Sequence, residues 1–186
     1  SVAQGLRDTT DQIKNTDQSI NNIQGAVKYT EPLSSKVNLS LGYRIVNIEN
    51  QSILESYNRN TSTGRYDQLD QRFSSNYDFN RLSNNYDVTL GYVTDKLSVN
   101  LMNVFNDDRL KQINNYDGRK INREFFTYNP RLTTSINFST AKSLRINYAG
   151  RNQLPSLNQI QPILNNSDPL NIYEGNETLN PSFTNS

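Results

Sequence analysis

Apolar and polar residues alternate strictly along several stretches of the chain, and the clearest stretch follows the turn-forming sequence Glu31–Ser35. From Val37 to Ile45 every second residue is apolar, and the residues between them are Asn, Ser, Gly and Arg. Successive side chains of a strand point to opposite faces, so this pattern predicts a strand with one apolar and one polar face. About ten residues is the length of a tilted strand that crosses a bilayer.

The same alternation recurs in Tyr86–Tyr92, Leu97–Leu101, Phe126–Phe138 and Leu144–Tyr148. Short polar links join neighbouring runs and predict tight turns near residues 33–35, 94–96 and 139–143. We therefore predict an all-β, antiparallel up-and-down meander. One face of its sheet is expected to carry Leu39, Leu41, Leu90, Val99, Leu101, Ile136 and Ile146.

Long polar stretches separate these hairpins and predict long loops at about residues 49–85, 106–123 and 152–186. Alternation in Ser52–Tyr57 suggests that strands continue into the first of them. The opening segment, Asp8–Gln24, is read as a polar strand or an extramembrane stretch. Short links at one end and long links at the other are typical of outer-membrane barrels.

Composition favours a barrel over a compact soluble domain. Only 33% of the residues are apolar, the mean hydropathy is −0.79, and 29 of the 186 residues are Asn, which leaves little material for a core. Eleven Tyr, seven Phe and a net charge of +1 argue against disorder. A barrel needs apolar residues on its lipid face alone. No run of 18 apolar residues is present, which excludes helical spans, but alternation by itself leaves a soluble β-sandwich open.

The residue inventory excludes several kinds of chemistry. The chain has no Cys and no His, so it contains no thiolate or His-based nucleophile and no His-ligated metal. Asp107 and Asp108 are adjacent in a predicted strand and point to opposite faces, so they make a poor catalytic pair. The near-zero net charge gives no general attraction for nucleic acid. We predict no catalytic residue, no metal site, no cofactor and no nucleic-acid partner.

Aromatic and basic residues of the predicted loops are the candidates for ligand binding. Tyr offers both an apolar ring and a hydroxyl, and an Arg beside it can bind polar groups. The predicted ligand-binding residues are Tyr57, Tyr66, Tyr116 and Arg119. Arg44, Arg131 and Arg145 share the polar face of their strands, where they line a lumen or pair with acidic neighbours or a plug.

The tail carries a more specific signal. Tyr148–Pro162, Asn165–Ile172 and Gly175–Pro181 resemble a late barrel segment of TonB-dependent receptors and of related Bacteroidota outer-membrane proteins, in which proline-containing, DNSDPLN-like and GNPxLxPE-like tracts precede a returning strand. Glu177 and Ser182 depart from that pattern, which has Pro and Glu there. The resemblance implies a barrel of about 22 strands with a plug, energised by the TonB complex in the outer membrane.

Taken together, residues 1–186 are expected to form a partial outer-membrane barrel, the carboxy-terminal barrel part of a receptor for ligand reception or TonB-dependent uptake. The expected partners are outer-membrane lipid, a plug domain, the TonB complex and an unknown ligand. An export signal is expected upstream of Ser1, and a piece of five to seven strands is expected to self-associate when isolated. The alternatives are a structural or adhesive outer-membrane protein and a soluble β binding module.

Overall fold

The structure, a computed structural model, describes residues 11–160, 164–165 and 173–186. Its elements are β1 Gln12–Pro32, β2 Val37–Arg59, β3 Tyr66–Leu69, β4 Ser75–Val93, β5 Leu97–Asn114, β6 Lys120–Ser139, β7 Lys142–Gln153, α1 Leu157–Ile160, β8 Leu164–Asn165, β9 Tyr173–Glu174 and β10 Ser182–Asn185. Among the described residues, no helix has the length and hydrophobicity needed to cross a membrane.

The long strands form one antiparallel sheet in the order β1-β2-β4-β5-β6-β7-β10, and β3 pairs with the end of β2. Residues that face each other across antiparallel strands lie on the same face of the sheet. Leu39, Leu90, Leu101 and Leu132 are successive partners in the register, so they form one row. The same register places Val99 and Ile136, and with them Ile146, on that face. The predicted common face, called the outer face below, is confirmed.

Links at the two ends of the sheet differ in length. Residues 33–36, 94–96 and 140–141 connect strands at one end. Residues 60–74 and 115–119, together with the described residues between β7 and β10, lie at the other. The long loops expected at 49–85 and 106–123 are wrong in extent, because β2, β4, β5 and β6 continue through most of those residues. Backbone pairing does not depend on side-chain polarity, so a strand surrounded by water needs no apolar outer face.

A row of aromatic residues crosses the outer face and marks a change in polarity. Tyr43, Tyr86, Phe105 and Tyr128 are successive register partners, with ring centroids 5.3 Å apart for the first two and 5.1 Å apart for the last two. Toward the tight turns the outer face is mainly Leu, Val and Ile, and toward the other end it is mainly Asn, Asp, Glu and Lys. Aromatic rings at this boundary are typical of a membrane interface.

The face of the sheet opposite the outer face is called the inner face below. Between the aromatic row and the long links, this inner face carries apolar residues. Leu110, Phe125 and Ile160 are buried together, and Phe79, Leu154 and Leu179 pack against them. The sheet supplies Phe79, Leu110 and Phe125, whereas the other three belong to the chain after β7. The tail therefore folds across the inner face at the long-loop end. Tail residues 161–163 and 166–172, which include most of the DNSDPLN-like tract, lie outside the described residues, as do residues 1–10.

The link between β5 and β6 depends on Gly118, which has φ of +72°. Its N–H donates to the Asn114 carbonyl at 2.8 Å and closes the turn. We expect Gly118→Ala to destabilise the protein by about 1–2 kcal/mol, because a β-carbon is strained in this region of φ.

Gly25→Ala is the matched control, since a β-carbon at Gly25 would meet only Ile45 Cγ2 at 3.8 Å. Urea unfolding of the purified protein in detergent measures both variants. An equal shift of the two midpoints would contradict the expectation.

Candidate functional site

The inner face of the sheet is strongly basic. The register places eight cationic side chains but only two acidic ones there: Lys14, Lys28, Arg44, Arg81, Arg123, Arg131, Arg145 and Arg151 against Asp87 and Asp108. The near-zero net charge of the chain conceals this asymmetry, because most acids lie on the outer face or in loops. A concave surface of one charge raises the local concentration of ligands of opposite charge.

The two inner acids are already engaged by neighbouring strands. Asp108, 5% exposed, accepts a hydrogen bond from the Ser83 hydroxyl, and its Oδ1 lies 3.8 Å from Arg81 Nε. The Asp87 carboxylate lies over Gly42, where it leaves no room for a β-carbon. Asp107 points to the outer face and pairs with Arg109 at 3.3 Å, so the predicted division of Asp107 and Asp108 between faces is confirmed. With eight cationic and two acidic side chains, the inner face has a net positive charge.

The tail is held to the inner face by charge as well as by apolar packing. Arg119 Nη2 lies 2.5 Å from Glu177 Oε1, and Arg123 Nη1 donates to the Glu177 carbonyl at 2.7 Å. The Arg123 guanidinium also stacks on the Phe125 ring, 4.6 Å from its centroid. Burial raises the pKa of Tyr77, which lies close to this ion pair. These contacts close one end of the inner face.

The predicted ligand-binding residues all lie at the end opposite the tight turns, where they have different interaction partners. Tyr57, in β2, and Tyr116, in the β5–β6 link, both interact with Glu55. The hydrogen bond to Glu55 raises the pKa of Tyr57, whereas burial and then Glu55 raise that of Tyr116.

Tyr66, at the start of β3, donates to Asp11 Oδ1 at 2.7 Å, and this bond raises the pKa of its hydroxyl. Arg119 belongs instead to the contacts that hold the tail. The assignment of these four residues as ligand-binding stays a prediction.

Sequence reasoning missed Arg123 and Glu177 as members of the inner-face site. Arg151 lies on the same face as Arg145, as the alternation of their run predicts. The contact of Glu177 with residues more than 50 positions earlier has no local signature. Arg44 and Arg145 do lie on the inner face as expected, and Arg145 Nε donates to Ser135 Oγ at 3.3 Å.

Asp67, Asp70 and Asp78 do not converge on a cation site. Asp70 accepts from Gln12 and Asn58 side chains and Asp78 lies on the outer face in β4. Among the described residues, no three Asp or Glu side chains gather in a group that could hold a metal ion.

The chain is similar in fold to a solved transporter structure. The crystal structure of the ferric citrate transporter FecA in its unliganded form superimposes with a TM-score of 0.59 and 12% sequence identity over 76% of this chain. The match covers 21% of that protein, so the chain spans about a fifth of its length. No curated protein sequence is significantly similar to the chain.

The family assignment follows from the sequence as a whole. The sequence model of the outer membrane protein β-barrel family matches residues 2–186, which is nearly all of the chain. Such a match places the protein in the outer membrane and contradicts the soluble β-module alternative. With its antiparallel meander, apolar outer face and aromatic row, the chain belongs to the outer membrane protein β-barrel family.

Proposed function

We propose that the chain is the carboxy-terminal barrel part of an outer-membrane receptor that takes up its ligand with the aid of TonB. The observation that carries the proposal is the packing of the tail on the inner face. Leu154, Ile160 and Leu179 contact the sheet from the lumenal side. This contact lies at the end of the long links, where a ligand from outside the cell would enter the barrel.

Two further observations support transport. The tail resembles a late barrel segment of TonB-dependent receptors and of related Bacteroidota outer-membrane proteins, and the fold is similar to that of a ferric citrate transporter. Between the aromatic row and the tight turns the inner face is polar and basic, whereas the outer face there is apolar. In this proposal the inner face lines the path of the ligand, and the long links lie outside the cell.

The reading frame upstream of Ser1 and contact with TonB provide the test. We expect a plug domain with a TonB box upstream, and we expect formaldehyde treatment of intact cells to cross-link the whole protein to TonB. A variant that lacks the TonB box is the control and should lose the cross-link while it still inserts in the membrane. A barrel without a plug, or one that does not cross-link, would overturn the proposal and favour the structural or adhesive alternative.

A further inference from the structure

Pro130 interrupts the pairing of β6 with β7. Proline has no N–H to donate to a neighbouring strand, and the β6–β7 ladder ends at the pair Arg131–Ala149. Beyond that pair, side chains replace the ladder. The Asn152 N–H donates to Asn129 Oδ1 at 2.6 Å, and Asn152 Nδ2 donates to the Tyr128 carbonyl at 2.8 Å. The two strands are therefore held apart by amide side chains.

Gly150 stands opposite Pro130 in this gap and is covered by Phe183 of β10. A β-carbon at Gly150 would lie 2.8 Å from Phe183 Cζ, which is closer than real β-carbons approach, and 3.1 Å from Pro130 Cδ, which is a tight contact. The absence of a side chain at this position lets the aromatic ring close the gap from the outer face. The opening is consequently accessible from the inner face.

A cavity of about 290 Å³ lies on the inner side of this gap. It is lined by Met102, Val104, Asn106, Asn129, Arg131 and Arg151 together with the backbone around Gly150. The lining includes two guanidinium groups and no carboxylate. Within the described part of the chain, neither guanidinium forms an ion pair. The inner acids, Asp87 and Asp108, are directed to Gly42 and Ser83 instead.

We propose that this cavity binds an oxyanion group of a small ligand, that is, a carboxylate, phosphate or sulfate group. Arg131 and Arg151 extend from neighbouring strands and present planar donor pairs that match the oxygens of such a group. Asn106 uses its amide N–H to bind Thr127 at 2.9 Å, which leaves its side-chain oxygen free for a hydroxyl or amide of the ligand. The inference rests on the proposed function, because it assumes that the inner face lines the path of the ligand.

Direct binding to the full-length protein that contains this chain, purified from outer membranes in detergent, tests the proposal. Isothermal titration with succinate, inorganic phosphate and sulfate is expected to show saturable binding at low salt that weakens as salt is raised. Uncharged succinamide, which has nearly the shape of succinate, should not bind. Arg131→Gln and Arg151→Gln should each weaken succinate binding by about tenfold or more, since each removes a charged hydrogen-bonding partner.

Arg145→Gln is the matched control, because Arg145 lies on the same face but does not line the cavity, and it should bind succinate as the unaltered protein does. Arg131→Lys keeps the charge and provides a second variant if Arg131→Gln fails to fold. Absence of anion binding, or equal losses in all Arg variants, would overturn the inference. Because binding is measured without TonB, a failed TonB cross-link with intact binding would overturn only the proposed uptake.

Discussion

Leu101→Arg is expected to lower the stability of the membrane-inserted barrel by about 2–4 kcal/mol, the cost of a cationic side chain on the lipid face near the bilayer midplane. Leu101 lies at the centre of the outer-face row formed by Leu39, Leu90 and Leu132. Its side chain remains partly exposed in the structure, at 38%, because its partner is lipid rather than protein. A smaller fraction of the Leu101→Arg variant should therefore be folded in membranes than of the unaltered protein.

Asn100→Arg is the control for this change. Asn100 precedes Leu101 in β5 and points to the inner face, where a further cation meets a polar surface instead of lipid. Refolding into phospholipid vesicles across a urea series, read by the heat-dependent shift in gel mobility, compares the two variants with the unaltered protein. If both variants lose the same stability, the assignment of lipid-facing and lumenal faces is wrong.

Phe125→Ala is expected to destabilise the protein by about 3–5 kcal/mol and to release the tail from the inner face. Phe125 is 7% exposed and packs in one cluster with Leu110 and Ile160, so its removal leaves a cavity between sheet and tail. The Arg123 guanidinium also loses the ring on which it stacks. Protease cleavage within residues 154–180 should become faster than in the unaltered protein.

Phe126→Ala is the control for this change, because it removes an aromatic ring without disturbing the cluster that holds the tail. Phe126 is the next residue of β6, points to the outer face and is 72% exposed. It stacks on Phe105, with ring centroids 6.2 Å apart, and does not touch the tail cluster. Its substitution should leave tail proteolysis unchanged. A tail that is equally protected in Phe125→Ala would show that the packing on Leu110 and Phe125 does not hold it.

These two pairs of variants also test two different environments of the same strands, which are lipid on the outer face and the tail on the inner face. β5 places Leu101 toward lipid and Leu110 toward the tail, and the two residues are nine positions apart. An odd separation reverses the face of a strand, so the apolar side changes from outer to inner on crossing the aromatic row. Outside the membrane, lipid no longer covers the outer face, and among the described residues Leu110 and Phe125 are buried on the inner face where the tail packs on them.

The strands of the membrane-spanning sheet and the faces of their side chains could largely be predicted from the sequence alone. Strict alternation in Val37–Ile45 and Tyr86–Tyr92 determined which residues share a face, because the two-residue period of a strand is a local property of the backbone. Antiparallel pairing through short links then followed from chain connectivity. The tail sequence also indicated the family, since its proline and asparagine tracts are specific.

The tertiary structure alone decided the rest. Polar runs that predict loops, such as residues 49–59 and 106–114, are strands because their neighbours complete the backbone hydrogen bonds, and no local pattern encodes a neighbour. Arg131 and Arg151, which are 20 positions apart in the sequence, line one cavity where the β6–β7 ladder ends beside Pro130. The contact of Arg123 with Glu177 joins residues 54 positions apart, and it exists because the tail has apolar residues to bury on Phe125 and Leu110. Alternation along a strand is a property of the chain, whereas what covers each face depends on the surrounding lipid, water and tail.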